Sequence, residues 1–169
     1  MKNRRDENVI AFYTTKEVPY GCFSNFYRAP IDLDGRRWPT SEHYYQARKS
    51  DNFEDAEKIR HATTPKDAAF MGRRLASIHA DWDSMKYNVM LVAVRAKFTQ
   101  HKDLAEILLS TGDKEIVEWT EGTELADSVW GNAPDKDGKP GQNLLGKALM
   151  QIRAELVKQK DEQPNELDI

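Results

Sequence analysis

Trp38-Pro39-Thr40-Ser41-Glu42-His43-Tyr44-Tyr45-Gln46-Ala47-Arg48-Lys49 is where this chain turns from strand to helix, and it loads the new helix with polar chemistry. Pro39 disfavours helix at Trp38, and Thr40 or Ser41 can accept hydrogen bonds from the free amides of a first turn containing Glu42. Glu42, Tyr45, Gln46 and Lys49 then share one face, at the i, i+3, i+4, i+7 spacing that core leucines normally occupy. A buried carboxylate, amide and ammonium in one stripe cost stability unless partners or a ligand satisfy them. On a solvated face the same residues would simply meet water, and spacing alone does not separate the two readings.

Upstream, Pro30-Ile31-Asp32-Leu33 runs into the tight-turn dipeptide Asp34-Gly35 and returns as Arg36-Arg37-Trp38, while Val9-Ile10-Ala11-Phe12-Tyr13 reads as another strand. A small antiparallel sheet is therefore expected ahead of the Glu42 helix. Downstream, helices are predicted over 53–61, over 65–76 with Thr64 as cap and Pro65 in the first turn, and over 84–101. In the last of these, Met85, Val89, Val92 and Ala96 recur at helical spacing, and Leu91, Val94 and Phe98 add a second apolar face, as in a helix packed on more than one side. Leu104 to Ser110 forms a short helix closed by Gly112, Glu115-Ile116-Val117-Glu118-Trp119 alternates like a strand, and a long helix runs from Asn143 towards Lys158. The reading is an α+β fold, a mostly helical single domain over 1–158 with a small antiparallel sheet, followed by a polar tail over 159–169 that should fray.

Composition narrows the function classes. The 169 residues are 39% hydrophobic and suit one domain with a single core. Lys and Arg total 25 against 28 Asp and Glu, a formal net charge of -3, so no global field draws the protein to a phosphate backbone. The basic start, Met1 to Glu7, lacks the apolar stretch of a signal peptide, and no segment is apolar enough to span a bilayer, so a cytoplasmic location and no membrane partner are expected. Cys22 is the only cysteine, which excludes an internal disulfide and any multi-thiolate metal site, and packing is its expected role.

His43, His61, His79 and His101 have no ligand spacing on one helix, so no metal site is expected. The glycines near Gly21 and from Gly131 to Gly146 fit neither a dinucleotide fingerprint nor a Walker loop. Carboxylates, a lysine, amides and tryptophans remain, a set suited to cleaving a nucleoside-like bond without a cofactor. Taken singly, Asp127 reads as a turn cap, Trp130 as a buried ring and Asn143 as a helix N-cap.

The Glu42 string, with Phe23-Ser24-Asn25-Phe26 before it and Asp127-Ser128-Val129-Trp130-Gly131 and Gly141-Gln142-Asn143-Leu144-Leu145-Gly146 after it, resembles the NADAR family, also called YbiA-like. Thr64-Pro65, Asp81-Trp82, Met90, Ala96-Lys97-Phe98, Thr111-Gly112 and Leu149-Met150 through Arg153 follow the family's pattern in the same order. The chain departs from it between Trp130 and Asn143, where Asn132 to Pro140 makes a glycine-rich loop a few residues longer.

The resemblance implies hydrolysis of a ribosyl or ADP-ribosyl group from an exocyclic amine, either of riboflavin-pathway aminopyrimidines or of modified guanine. It carries Glu42, Lys49, Asp127, Trp130 and Asn143 into the family's pocket. In that reading Glu42 is a general acid/base, Lys49 a nucleophile or electrostatic partner, and Asp127 the group that orients ribose or water. Trp130 and Trp82 offer a flat surface for the base, Asn25 and Asn143 supply donors and acceptors for its edge, and Phe26, Tyr45, Gln46 and Gly131 complete the substrate-binding set. Arg48, Arg73 and Arg74 are candidates for phosphate contacts. An amine-linked riboside can open to an imine, so a neutral lysine can take over the sugar as a Schiff base, and Lys49 is placed for this, roughly 10 Å along the helix from Glu42. The expected partner is a small nucleotide-like substrate. The alternatives are ADP-ribosylated DNA or RNA, with a toxin partner if the protein is an antitoxin, and a non-catalytic NAD or ADP-ribose binding module.

Overall fold

The computed structural model describes residues 3–163. In chain order the elements are β1 (Val9–Phe12), a short 3-10 turn (Tyr20–Phe23), β2 (Ile31–Leu33), β3 (Arg36–Trp38), α1 (Ser41–Lys49), α2 (Phe53–Arg60), α3 (Pro65–Gly72), α4 (Trp82–Gln100), α5 (Lys102–Ser110), β4 (Glu115–Glu118) and α6 (Leu144–Glu162). The class is α+β, as expected.

β2 and β3 form the expected hairpin, with Ile31 opposite Trp38 and Leu33 opposite Arg36. Asp34 and Gly35 both take positive φ, 54° and 71°, as a two-residue turn matched to strand twist requires. β1 departs from the expected sheet: it pairs in parallel with β4, Ile10 beside Ile116 and Phe12 beside Glu118. Parallel neighbours need a crossover, and here most of the helices lie between the two strands in sequence. Local patterning marks both segments as strands but cannot say which distant strand completes each one.

α4 is the central helix, packed against α1, α5 and α6. Val89, Met90, Ala93, Val94 and Phe98 are buried on it, whereas Val92, expected on the inward stripe, is 37% exposed. Leu145, Leu149 and Ile152 of α6 close the other side with almost no accessible surface. Truncating such a side chain to alanine costs about 2–5 kcal/mol. α3 stops at Gly72 rather than Ala76, and α6 continues to Glu162, beyond the expected end at Lys158. A Lys158–Glu162 ion pair one turn apart supports that extra length. The rest of the expected fraying tail, 164–169, lies outside the described residues. No helix among the described residues is long and apolar enough to cross a membrane.

Candidate active site

Thr40 caps α1: its hydroxyl accepts from His43 N at 3.2 Å, which starts the helix one residue before Glu42. The ring of His43, fully buried, contacts the Thr40 hydroxyl at 2.8 Å and the Ala62 carbonyl at 3.0 Å, and burial pushes its pKa down. That histidine anchors the helix end. The opposite side of α1 faces a cavity of about 770 Å³, and Glu42, Tyr45, Gln46 and Lys49 all line it. The helix face that sequence left undecided is therefore turned inward, and Glu42 is only 8% exposed.

The remaining walls come from distant segments: Ser24, Asn25 and Phe26 after the 3-10 turn, Arg73 at the end of α3, Met90 of α4, Glu118 at the end of β4, and Glu124, Asp127 and Trp130 in the loop before α6. Gln46 Nε2 donates to Glu42 Oε1 at 2.7 Å, while Gln46 Oε1 is buried without a hydrogen-bond partner among the described residues. A Cβ on Gly72 would collide with that amide, so glycine there lets α3 close against the Glu42–Gln46 pair. Burial raises the Glu42 carboxyl to about 7, against the opposing pull of the Gln46 hydrogen bond and of Arg73.

Asp127 is half committed. Its Oδ1 accepts from the backbone N–H groups of Val129 and Trp130, each at 2.7 Å, which shapes the turn that presents Trp130. Trp130 meets Tyr45 edge to face at 5.2 Å, and Trp82 meets Tyr45 from another side at 5.2 Å. Trp82, 6% exposed, does not line the cavity; it supports Tyr45 from the core, contrary to its expected contact with substrate. Gly131 is also behind the wall, where a Cβ would strike the Thr120 side chain.

The two asparagines expected to read a base edge are otherwise engaged. Asn143 does not line the cavity: its Nδ2 donates to Ile116 O at 2.9 Å and its Oδ1 accepts from Glu118 N at 3.1 Å, fastening α6 to β4. It is the N-cap residue of α6, as sequence allowed, but in the left-handed conformation and with no cap bond from its side chain. Asn25 does line the cavity, but its Oδ1 accepts from Ser41 Oγ at 2.8 Å and its Nδ2 contacts Met90 Sδ at 3.1 Å. Of the three candidate arginines, Arg73 reaches the cavity; Arg48 does not line it, and Arg74 stacks on Phe70 at 3.5 Å away from it.

Sequence reasoning missed two groups. Glu118 lines the cavity with a carboxyl pushed up to about 8 by burial and by the charges of Asp127 and Glu42. Lys97 is 1% exposed, donates to Ser24 O at 2.9 Å, lies over the rings of Tyr27 and Phe98, and is pushed down to about 7 by burial. It fixes the segment that carries Asn25 and Phe26. Its signal was available, since a lysine stands where the α4 stripe of Ala93, Val94 and Phe98 calls for an apolar residue. No group of three or more His, Cys, Asp or Glu suited to a metal is present among the described residues.

An α+β domain with a carboxylate-rich cavity behind a polar helix face is the class that these features define. The family model described as the NADAR domain matches residues 11–157, and the chain belongs to that family. It is 43% identical over 155 residues to N-glycosidase YbiA of Escherichia coli (strain K12), covering 91% of this chain and 92% of that protein. An N-glycosidase of Nostoc punctiforme is 42% identical over 87% of this chain and 92% of its own length. A riboflavin biosynthesis protein of Vibrio vulnificus is 38% identical over 89% of this chain but only 39% of its own length. The NMR structure of E. coli YbiA superposes with a TM-score of 0.82, covering 94% of this chain and 90% of that one.

Proposed function

We propose that this protein is an N-glycosidase that hydrolyses the bond between C1 of a ribose and an exocyclic amine of a nitrogen heterocycle. The observation that carries the reading is the inward-facing α1 stripe, which puts the buried Glu42 and the half-buried Lys49 on one wall of a nucleotide-sized cavity. Two relatives spanned almost completely by this chain are named N-glycosidases, which supports the reaction class. The substrate proposed is a phosphoribosylamino-pyrimidine, in line with the riboflavin biosynthesis name of the Vibrio relative.

Expelling an amine from C1 requires a proton for the leaving nitrogen and stabilisation of positive charge at C1. In the proposed site Glu42 handles protons and charge beside C1, Lys49 attacks C1 or holds ribose oxygens, and the free oxygen of Asp127 orients ribose or water. Trp130 and Tyr45 provide the surface for the base, and Arg73 is a second cation in the cavity, available to a phosphate. The test is to incubate the protein separately with a riboflavin-pathway phosphoribosylamine and with DNA carrying ADP-ribosyl-guanine, and to follow release of each base. Release of pyrimidine alone is expected. Release from the DNA alone would transfer the assignment to nucleic-acid de-ADP-ribosylation, and tight binding with no release from either would make the protein a binding module.

A further inference from the structure

We propose that Glu118 is the proton-bearing acid of this cavity, giving its proton to the departing amine, while Glu42 in the same cavity works as the charged carboxylate. The inference rests on the N-glycosidase reading for the identity of the leaving group. Its own basis is how the two carboxyls are partnered. Glu42 sits in the first turn of α1, where the helix dipole favours negative charge. Its Oε1 already accepts a hydrogen bond from Gln46 at 2.7 Å, a bond that favours the ionised form, and Arg73 adds an opposite charge.

Glu118 has none of this. Its backbone is held firmly, with its N–H on Asn143 Oδ1 at 3.1 Å and its carbonyl accepting from Asn132 N at 3.0 Å, yet no group among the described residues donates to its carboxyl. The charges that act on it are those of Asp127 and Glu42, both repulsive to a second anion. Asp127 is itself fixed as an acceptor by two backbone amides. A carboxyl that lines a cavity, lacks a donor and faces other carboxylates is more stable protonated, and its O–H then becomes a donor aimed at whatever fills the cavity. The other titratable and charged groups lining the cavity are Tyr45 and Lys49 of α1, Arg73 at the end of α3, Glu124 of the loop before α6, and Tyr13 just after β1.

The step balances without a cofactor. As the C1–N bond breaks, its electron pair stays on nitrogen, which takes the Glu118 proton, and the positive charge is shared by C1 and the ring oxygen. Water, arriving directly or after Lys49 has carried C1 as an imine, adds to C1, and the proton released goes to Glu42. Return of that proton from Glu42 to Glu118 by way of solvent restores both carboxyls. The products are a free amine and a ribose with a hydroxyl at C1.

Activity then needs Glu42 ionised and Glu118 protonated, so kcat/KM is expected to be bell-shaped, with limbs near pH 7 and pH 8. Glu118→Gln should lower kcat/KM by roughly 10²- to 10⁴-fold and erase the alkaline limb while leaving the acid limb in place. Glu118→Asp, which keeps an acid in the position, should restore part of the rate and of the limb. Side-chain ¹³C NMR titration of the unliganded protein provides an arm independent of turnover: Glu118 should keep its proton to higher pH than Glu42. A wild-type rate and alkaline limb in Glu118→Gln, or the reverse order of protonation by NMR, overturns the proposal. If no amine-linked riboside is turned over but the NMR order holds, the N-glycosidase reading fails while Glu118 stands as the cavity's acid.

Discussion

Glu42 shows how far a single residue can be read from sequence. Its position in the first turn and its alignment with Tyr45, Gln46 and Lys49 follow from Pro39, Thr40 and helical spacing, and the structure turns that whole face to the cavity. Glu42→Gln is expected to fold normally and lose about 10²- to 10⁴-fold in turnover, because an amide can neither take a proton nor oppose the charge at C1. Turnover within a few-fold of wild type would remove Glu42 from the chemistry. Lys49 has a sharper test: borohydride added during turnover should reduce an imine and leave a ribosyl-derived mass on the peptide containing Lys49, with Lys49→Arg abolishing both adduct and activity. No adduct together with an active Lys49→Arg protein would favour direct attack by water. What spacing could not reveal was the state of each polar group. Asn25 and Asn143 have the right chemistry for a base edge, but their amides are taken by Ser41, Met90 and the β4 backbone, and such long-range pairings leave no local periodicity. Glu118 was hidden for the related reason that an acidic residue at a strand end usually means solvent.

At the scale of elements, helices and the hairpin were legible because capping, Pro placement and the Asp34-Gly35 turn act within a few residues. The β1–β4 pair was not, since two short strands say nothing about a partner more than half the chain away. Asn143 is the clasp of that region: it joins the start of α6 to both Ile116 and Glu118, and Gly146 lies so close to Ile116 O that a Cβ would collide there. Asn143→Ala should therefore strand a β4 donor and a β4 acceptor in the interior, at roughly 1–3 kcal/mol for each group left unsatisfied, read as a lower urea midpoint with an unchanged slope. The same variant should lose activity even where it remains folded, because Glu118 loses its tether. An unchanged midpoint would mean that neighbouring backbone or water takes over both bonds.

For the whole molecule, the titratable groups shifted by desolvation make stability depend on pH in two opposing directions. Glu42 and Glu118 are raised from 4.5 to about 7 and about 8, so the folded protein holds more protons than the unfolded chain between those values. Their contribution is complete below about pH 4.5 and is lost as pH rises through 7 to 8. Lys97 is lowered from 10.5 to about 7, so here the unfolded chain holds the extra proton, and stability is regained as pH climbs from about 7 to 10.5. His43, also lowered from its usual 6.5, adds a gain on the acid side that partly offsets the loss from the glutamates. The combined curve should dip near neutral to slightly alkaline pH, the range in which the proposed chemistry operates, consistent with a site that gives up stability for reactive carboxyls. Melting temperatures measured from pH 5 to 10 separate the contributions once each profile is subtracted from wild type. Glu118→Gln should remove part of the fall that ends near pH 8, and Lys97→Met should remove the rise above pH 7, which belongs to the lysine that braces Ser24 beneath the site. If Lys97→Met keeps that rise, the ammonium of Lys97 retains its charge inside the fold, and the carbonyl of Ser24 with the rings of Tyr27 and Phe98 is enough to hold it there.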